Sequence, residues 1–467
     1  MYTFDQASLY ILILIPLIAS IFISLIPSFD IESKNTLSCF FAVAGFCVFI
    51  RIFYLFGIGS KLKNISFSFS LLNFKIKFLL FLNEYNIYFF GIISLILLLY
   101  NFLFEISDTK SNIHHVSPFL LAFIANICFG QKDLRIALPL LSISTFMIYF
   151  LIGHSDRQRK GSAIFHMGTY LFGIDALALV ILQLQSFKEY IFFILIALGI
   201  LAPGLARLCL PAFSPFLQRL ILNVDRREGP FIFAFLQLVG LYILVLAKNE
   251  IGKNLLSADI PLMMAALGML SSLNVALISI TNFKSEVLPY YSLCFYSSLI
   301  PSVLFASSEK LFFYLTISLY LTNIIIFFNT TKTHNLIYYF GSPYEKKSDL
   351  RAMWFLCLSP FLGVPGIGIG VSLWPALYTM ATQFAHDAHP KKILWIAFLS
   401  LWFLAFILLA VALVLTIRAE FFQRSNMTRE ISEAFKKKIK SFFILSPIAA
   451  VILSWLIPFA IFWPHKS

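Results

Sequence analysis

Apolar residues along this chain gather in long runs parted by short stretches of charge, Pro, Gly or Asn. Crossing a hydrocarbon core of about 30 Å takes about 20 such residues in a helix. Fourteen runs fit that use, at 8–28, 37–57, 86–106, 117–131, 134–153, 163–186, 190–211, 230–247, 259–281, 287–307, 311–330, 351–384, 392–417 and 441–463. Two carry helix breakers. The run at 351–384 is too long for one straight span and holds Gly363, Pro365, Gly366, Gly368, Gly370 and Pro375, while the run at 190–211 holds Pro203, Gly204 and Pro211, with Pro215 just beyond. Helices 7 and 12 are therefore predicted to be broken. A broken helix is tolerated at membrane depth only where protein or a wet cavity re-satisfies the freed backbone groups, so each marks either an ion site or a kink relieved by packing.

Two segments depart from the helical pattern. Ser66 to Ser70 and Asn73 to Lys77 alternate polar and apolar with period two, predicting an extramembrane β-hairpin over 64–78. Between 418 and 440, Phe421, Phe422, Ile431, Phe435 and Ile439 recur near helical spacing against Arg424, Arg429 and Lys436 to Lys438, predicting an amphipathic helix on the membrane surface.

Composition closes off a water-soluble reading. Of 467 residues, 60% are hydrophobic and 12% charged, with a mean hydropathy of +0.88, against about 45–50% and about 25% in soluble chains. The fold expected is an all-α polytopic integral membrane protein of about 14 helices, with residues 1–467 forming a single membrane domain. A formal charge of +13 raises the question of nucleic acid, but no basic stretch is interleaved with aromatics at a binding spacing, and orientation in the membrane accounts for the excess. Alternate loops carry 20 Lys and Arg against 13, which by the positive-inside rule sets both termini outside the cytoplasm. The first run lacks a basic n-region, since Asp5 is the only charge before residue 30, and reads as a retained helix. Six cysteines lie within apolar runs with no CxxC spacing and read as small hydrophobes. Nucleotide, dinucleotide, zinc-protease and hydrolase signatures are absent, and His114, His115, His386 and His389 have no carboxylate cluster beside them.

Five places, in order, resemble the antiporter-like subunits of proton-pumping NADH:quinone oxidoreductase (subunits L, M and N of respiratory complex I) and their relatives in Mrp antiporters. They are the hairpin with Phe78 to Phe81, Tyr149 to His154 with Arg157, Arg159, Lys160, Ala163 and Asp175, and Arg207 to Pro230 with Pro211, Pro215 and Glu228 to Pro230. Asn282 to Lys284 with Val287 to Ser292, and Gly363 to Gly366 with Gly368 and Gly370, complete the set. In that family a Glu on helix 5 modulates a Lys on helix 7, and Lys or His on helices 8, 11 and 12 pass protons on. Buried lysines suit that use because their pKa shifts readily.

The resemblance places other residues at those points. The helix 5 Glu position holds Ser142, helix 8 offers Gln237 and Leu238, helix 11 offers Ile317 and Leu321, and the helix 12 Lys position falls on Leu373. Near the helix 7 Lys stands Arg207, which cannot release its proton in a protein. A charge in a span costs about 2.5–3.5 kcal/mol on insertion scales, so Arg207 and Asp175 are either a remnant of the translocation site or a pair that fixes packing. Ser142, Ser144, Thr145 and Tyr149 offer hydroxyls. The ion-translocation candidates are thus Arg207, Asp175, Ser142, Gln237 and Lys284, with no cofactor and no catalytic residue.

The resemblance implies a membrane subunit of a complex I-like or Mrp-like assembly in a bacterial inner membrane. Its partners would be other membrane subunits, lipid, and protons or sodium. It would take part in or support ion translocation without redox chemistry of its own. Two alternatives remain open: a non-conducting structural paralogue, and a subunit of a cation/proton antiporter or inorganic-carbon uptake complex.

Overall fold

The computed structural model describes residues 4–27, 30–57, 64–71, 74–81, 85–103, 113–154, 161–183, 190–208, 210, 221, 229–252, 259–281, 287–306, 310–339, 359–363, 365, 368–384, 389–422 and 456. The chain is an all-α polytopic membrane protein. Among the described residues, seven helices are long and apolar enough to cross a bilayer and five further apolar helices are shorter. Two compact units emerge, Met1–Arg207 with Phe216–Leu255, and Leu208–Pro215 with Leu256–Ser467.

The first unit holds α1 (Phe4–Leu25), α2 (Ile31–Gly57), α3 (Asn86–Leu103), α4 (Ile113–Phe129), α5 (Leu134–His154), α6 (Gly161–Gln183), α7 (Tyr190–Arg207) and α8 (Gly229–Gly252). Helix α8, buried from Gly229 to Ala247, is its centre, packed against α3, α4, α5 and α7. Tyr242 on α8 places its hydroxyl between the carbonyls of Phe129 and Gln131, at the end of α4 where helical donors run out. Asp30 caps α2 by accepting from the Ser33 amide at 3.1 Å. Outward faces of α1 and α2 carry Ile21, Phe22, Phe40 and Tyr54, which suits lipid. Between α2 and α3, β1 (Asn64–Leu71) pairs antiparallel with β2 (Phe74–Phe81), in register from Asn64 opposite Phe81 to Leu71 opposite Phe74.

In the second unit are α9 (Asp259–Thr281), α10 (Leu288–Ser297), α11 (Ile300–Phe305), α12 (Lys310–Tyr339), a 3-10 turn (Ser359–Leu362), α13 (Gly370–Phe384) and α14 (His389–Phe422). Every residue of α10 and α11 is buried, whereas α14 turns Ile393, Ile396, Leu404 and Val414 outward. Helix α9 packs on α10, α11 and α14, and α12 on α10, α11 and α13.

The predicted break of span 12 is present. After the 3-10 turn, Gly363 and Gly368 take positive φ of 61° and 55°, and α13 starts only at Gly370. A Cβ on Gly368 would come within 2.6 Å of the Pro360 backbone, so both conformation and space require glycine there. Helix α7 differs from expectation at Pro203-Gly204, where it continues and ends at Arg207, four residues on. Span 10 is split into α10 and α11, because Pro301 has no N–H to return to the Ser297 carbonyl. The predicted span at 441–463 (but for residue 456), the amphipathic segment past Phe422 and Lys284 lie outside the described residues.

Candidate functional site

Four side chains of the first unit converge within its core. Arg207, the last residue of α7, is 1% exposed and Asp175 on α6 is 2% exposed. Their contact is a two-pronged ion pair, Nη1 donating to Asp175 Oδ1 at 2.7 Å and Nη2 to Oδ2 at 2.5 Å. This planar fork against a carboxylate is the geometry that suits guanidinium and no other cation. Nη1 also reaches the Pro203 carbonyl at 3.3 Å, and Nη2 the Thr145 hydroxyl at 3.2 Å. Thr145 can accept because its own proton goes to the Leu141 carbonyl one turn back on α5. Ser142 Oγ shares Asp175 Oδ2 with Arg207 Nη2, lying 2.7 Å from it and 3.0 Å from the Leu138 carbonyl.

Helix geometry assembles these groups. Ser142 and Thr145, three apart on α5, share a face turned to α6 and α7. Antiparallel α5 and α6 are clamped twice, by Ser142 on Asp175 and by Arg135 Nη2 on the Leu182 carbonyl at 3.1 Å, the clamps lying seven positions apart on each helix. Helix α7 closes on α8 through Gly204, where a Cβ would lie 2.9 Å from the Gly240 carbonyl and 2.7 Å from Leu244. Small residues permit such backbone approach inside membranes, and Arg207 follows one turn later. Gln237, one turn before Gly240 on α8, is fully buried but takes no part in the bonds just described.

The geometry therefore joins Arg207, Asp175 and Ser142 and adds Thr145. Arg207 and Asp175 carry opposite charges that cancel within the pair, and every carboxylate oxygen has a donor. Among the described residues, the buried charged side chains are Lys34, Asp175 and Arg207, all in the first unit, with His115 also buried there. No group of three or more His, Cys, Asp or Glu comes together among them to hold a metal ion.

The second unit has a different interior. Ser318 Oγ on α12 lies 2.7 Å from Ser372 Oγ on α13, which lies 3.0 Å from Thr322 Oγ1. Near the break between α10 and α11, Asn323 Nδ2 donates to the Leu293 carbonyl at 3.1 Å and to Ser297 Oγ at 3.3 Å. The Ser298 hydroxyl meets that of Ser272 on α9, and Ser302 donates to the Met264 carbonyl at 3.2 Å. Ile317 and Leu373, at the resemblance's relay positions, are buried apolar groups.

No family model and no curated protein sequence matches this chain. Solved structures do. A chain of respiratory complex I from Thermus thermophilus with bound NADH superposes with a TM-score of 0.74 at 14% identity, over 98% of this chain and 97% of that one. A chain of the same complex with bound aureothin gives 0.69 at 13%, over 97% and 98%. A chain of the membrane-bound sulfane sulfur reductase, an archaeal respiratory membrane complex, gives 0.69 at 15%, over 97% and 96%. The chain thus has the fold of subunits from respiratory membrane complexes, end to end.

Proposed function

We propose that this chain is a divergent antiporter-like subunit of a complex I-like membrane assembly, and that it supports ion translocation by neighbouring subunits without a titrating relay of its own. The observation that carries this reading is the closed ion pair. At the helix 7 position stands a guanidinium that keeps its proton, held on both prongs by Asp175. Ser142, at the helix 5 position, serves the same carboxylate. Such a site fixes helices, and its two charges are committed to each other. Fold likeness over nearly the whole length of the complex I chains supports the kind of assembly.

Likeness to the sulfane sulfur reductase chain supports a wider set of partners, in which the assembly need not act on NADH or quinone. As part of this proposal the protein lies in a bacterial inner membrane, with both termini outside the cytoplasm by its loop charges and the 418–440 segment along the membrane surface. Affinity purification from native membranes with mass spectrometry should recover respiratory membrane subunits. Purified protein in proteoliposomes should show proton and sodium flux close to that of empty vesicles. Robust flux driven by a pH gradient would overturn the non-conducting reading.

A further inference from the structure

Helix α1 contains Pro16, which has no N–H for the carbonyl of Leu12 one turn back. The nearest replacement donor is Asn126 on α4, whose Nδ2 lies 3.4 Å from that carbonyl, a long and weak bond. Serving Leu12 turns the other end of the Asn126 amide, Oδ1, into the protein, where Asn126 is 1% exposed and Oδ1 has no partner among the described residues. A buried amide oxygen without a donor is destabilising. It does not face a packed wall. A cavity of about 10 Å³ lies there, lined by Leu12, Ile15, Pro16, Phe41, Ser94 and Asn126 among others. That is close to the smallest volume that admits a water, about 10–15 Å³, and far too small for a lipid chain. Ser94 on α3 gives its hydroxyl proton to the Phe90 carbonyl at 2.9 Å, which leaves its oxygen able to accept.

We propose that this cavity between α1, α2, α3 and α4 binds one ordered water molecule, which donates to Asn126 Oδ1 and to Ser94 Oγ. The water completes a repair that starts at Pro16: proline frees the Leu12 carbonyl, the Asn126 amide reaches it, and the water satisfies what the amide leaves behind. It also links α4 to α3 through a small gap that side chains do not fill. The site is separate from the Arg207 quartet and does not depend on the function proposed above.

A density map of the full chain in lipid nanodiscs, at a resolution that shows ordered waters, tests this directly. One peak within hydrogen-bond distance of both Asn126 Oδ1 and Ser94 Oγ is expected; an empty cavity, or a peak touching neither atom, overturns the proposal. Ser94→Ala, which keeps the cavity and removes one acceptor, should weaken or abolish the peak and lower Tm slightly. Asn126→Leu should abolish the peak and lower Tm more, and Pro16→Ala should soften that loss by returning an N–H to Leu12. Should Asn126→Leu fail to fold, the parent and Ser94→Ala maps still decide. A peak unchanged by Ser94→Ala would sink the two-point site.

Discussion

The two units solve one problem, polar groups at membrane depth, by opposite means. The first buries full charges and locks them: Arg207 and Asp175 meet through two bonds, with Thr145 and Ser142 fastening the edges. The second unit buries none among its described residues and relies on hydroxyls and an amide around its interruptions, Ser318 with Ser372 and Thr322, and Asn323 with Ser297. A hydroxyl can donate, accept and turn, whereas a forked ion pair has one good arrangement. Charge here buys rigidity, and neutrality keeps the rotational freedom. Low dielectric raises the stakes in the first unit, because a lone buried charge costs far more than a lone hydroxyl.

That contrast predicts a ranking of losses. Asp175→Leu, which strands the guanidinium, should cost about 3–5 kcal/mol, read as a fall in Tm of the purified protein and loss from its assembly. Asp175→Leu with Arg207→Leu should be much less harmful than either alone, since an ion pair replaced by apolar groups is often neutral. Arg207→Lys should fall between, keeping charge and losing the fork. A double variant as unstable as the singles would show that charge is not what the first unit needs.

Next in size, Thr145→Val removes an acceptor from a charged donor and should cost about 1.5–3 kcal/mol by the same thermal measurement. Its counterpart in the second unit, Ser372→Ala, removes neutral bonds and should cost about 0.5–1.5 kcal/mol. If Ser372→Ala proves the worse of the two, the ordering of the units is reversed.

The smallest effect concerns a carboxylate outside the core. Hydrogen bonds from the Ser33 hydroxyl and amide hold Asp30 below the usual carboxylate range. Its contribution to the start of α2 is therefore present above its unfolded pKa and fades as pH falls through the lowered value. The protection of the Ser33 amide against hydrogen exchange, relative to its intrinsic rate at each pH, should fall in acid, and Asp30→Asn should flatten that dependence while keeping the cap.

Much of the architecture was legible from run lengths, because a bilayer demands apolar helices of fixed reach. Breaks were less so. Pro16, Pro118, Pro139, Pro203 and Pro375 all sit inside continuous helices, while Pro301 divides α10 from α11. Proline marks a missing donor, but whether the helix continues is decided by neighbours, which a sequence does not show. Charge rarity made Arg207 and Asp175 conspicuous, and the helix 5 position led to Ser142. Thr145 stood only among other hydroxyls, since nothing in its spacing names a partner. In the second unit attention fell on Ile317, Leu321 and Leu373 as lost charges; the groups that carry the polar cluster, Ser318, Thr322 and Ser372, are each one residue away.

The double clamp between α5 and α6 restricts how this gene can change in length. Arg135 to Ser142 and Asp175 to Leu182 are matched intervals of about two turns each. One codon inserted within either interval turns the helix beyond it by about 100° and shifts it by about 1.5 Å, so that one clamp must open. A deletion does the same in the opposite sense. Relatives of this chain should therefore differ freely in the loops flanking these helices, yet carry indels within 135–142 and 175–182 only as whole-heptad, paired events.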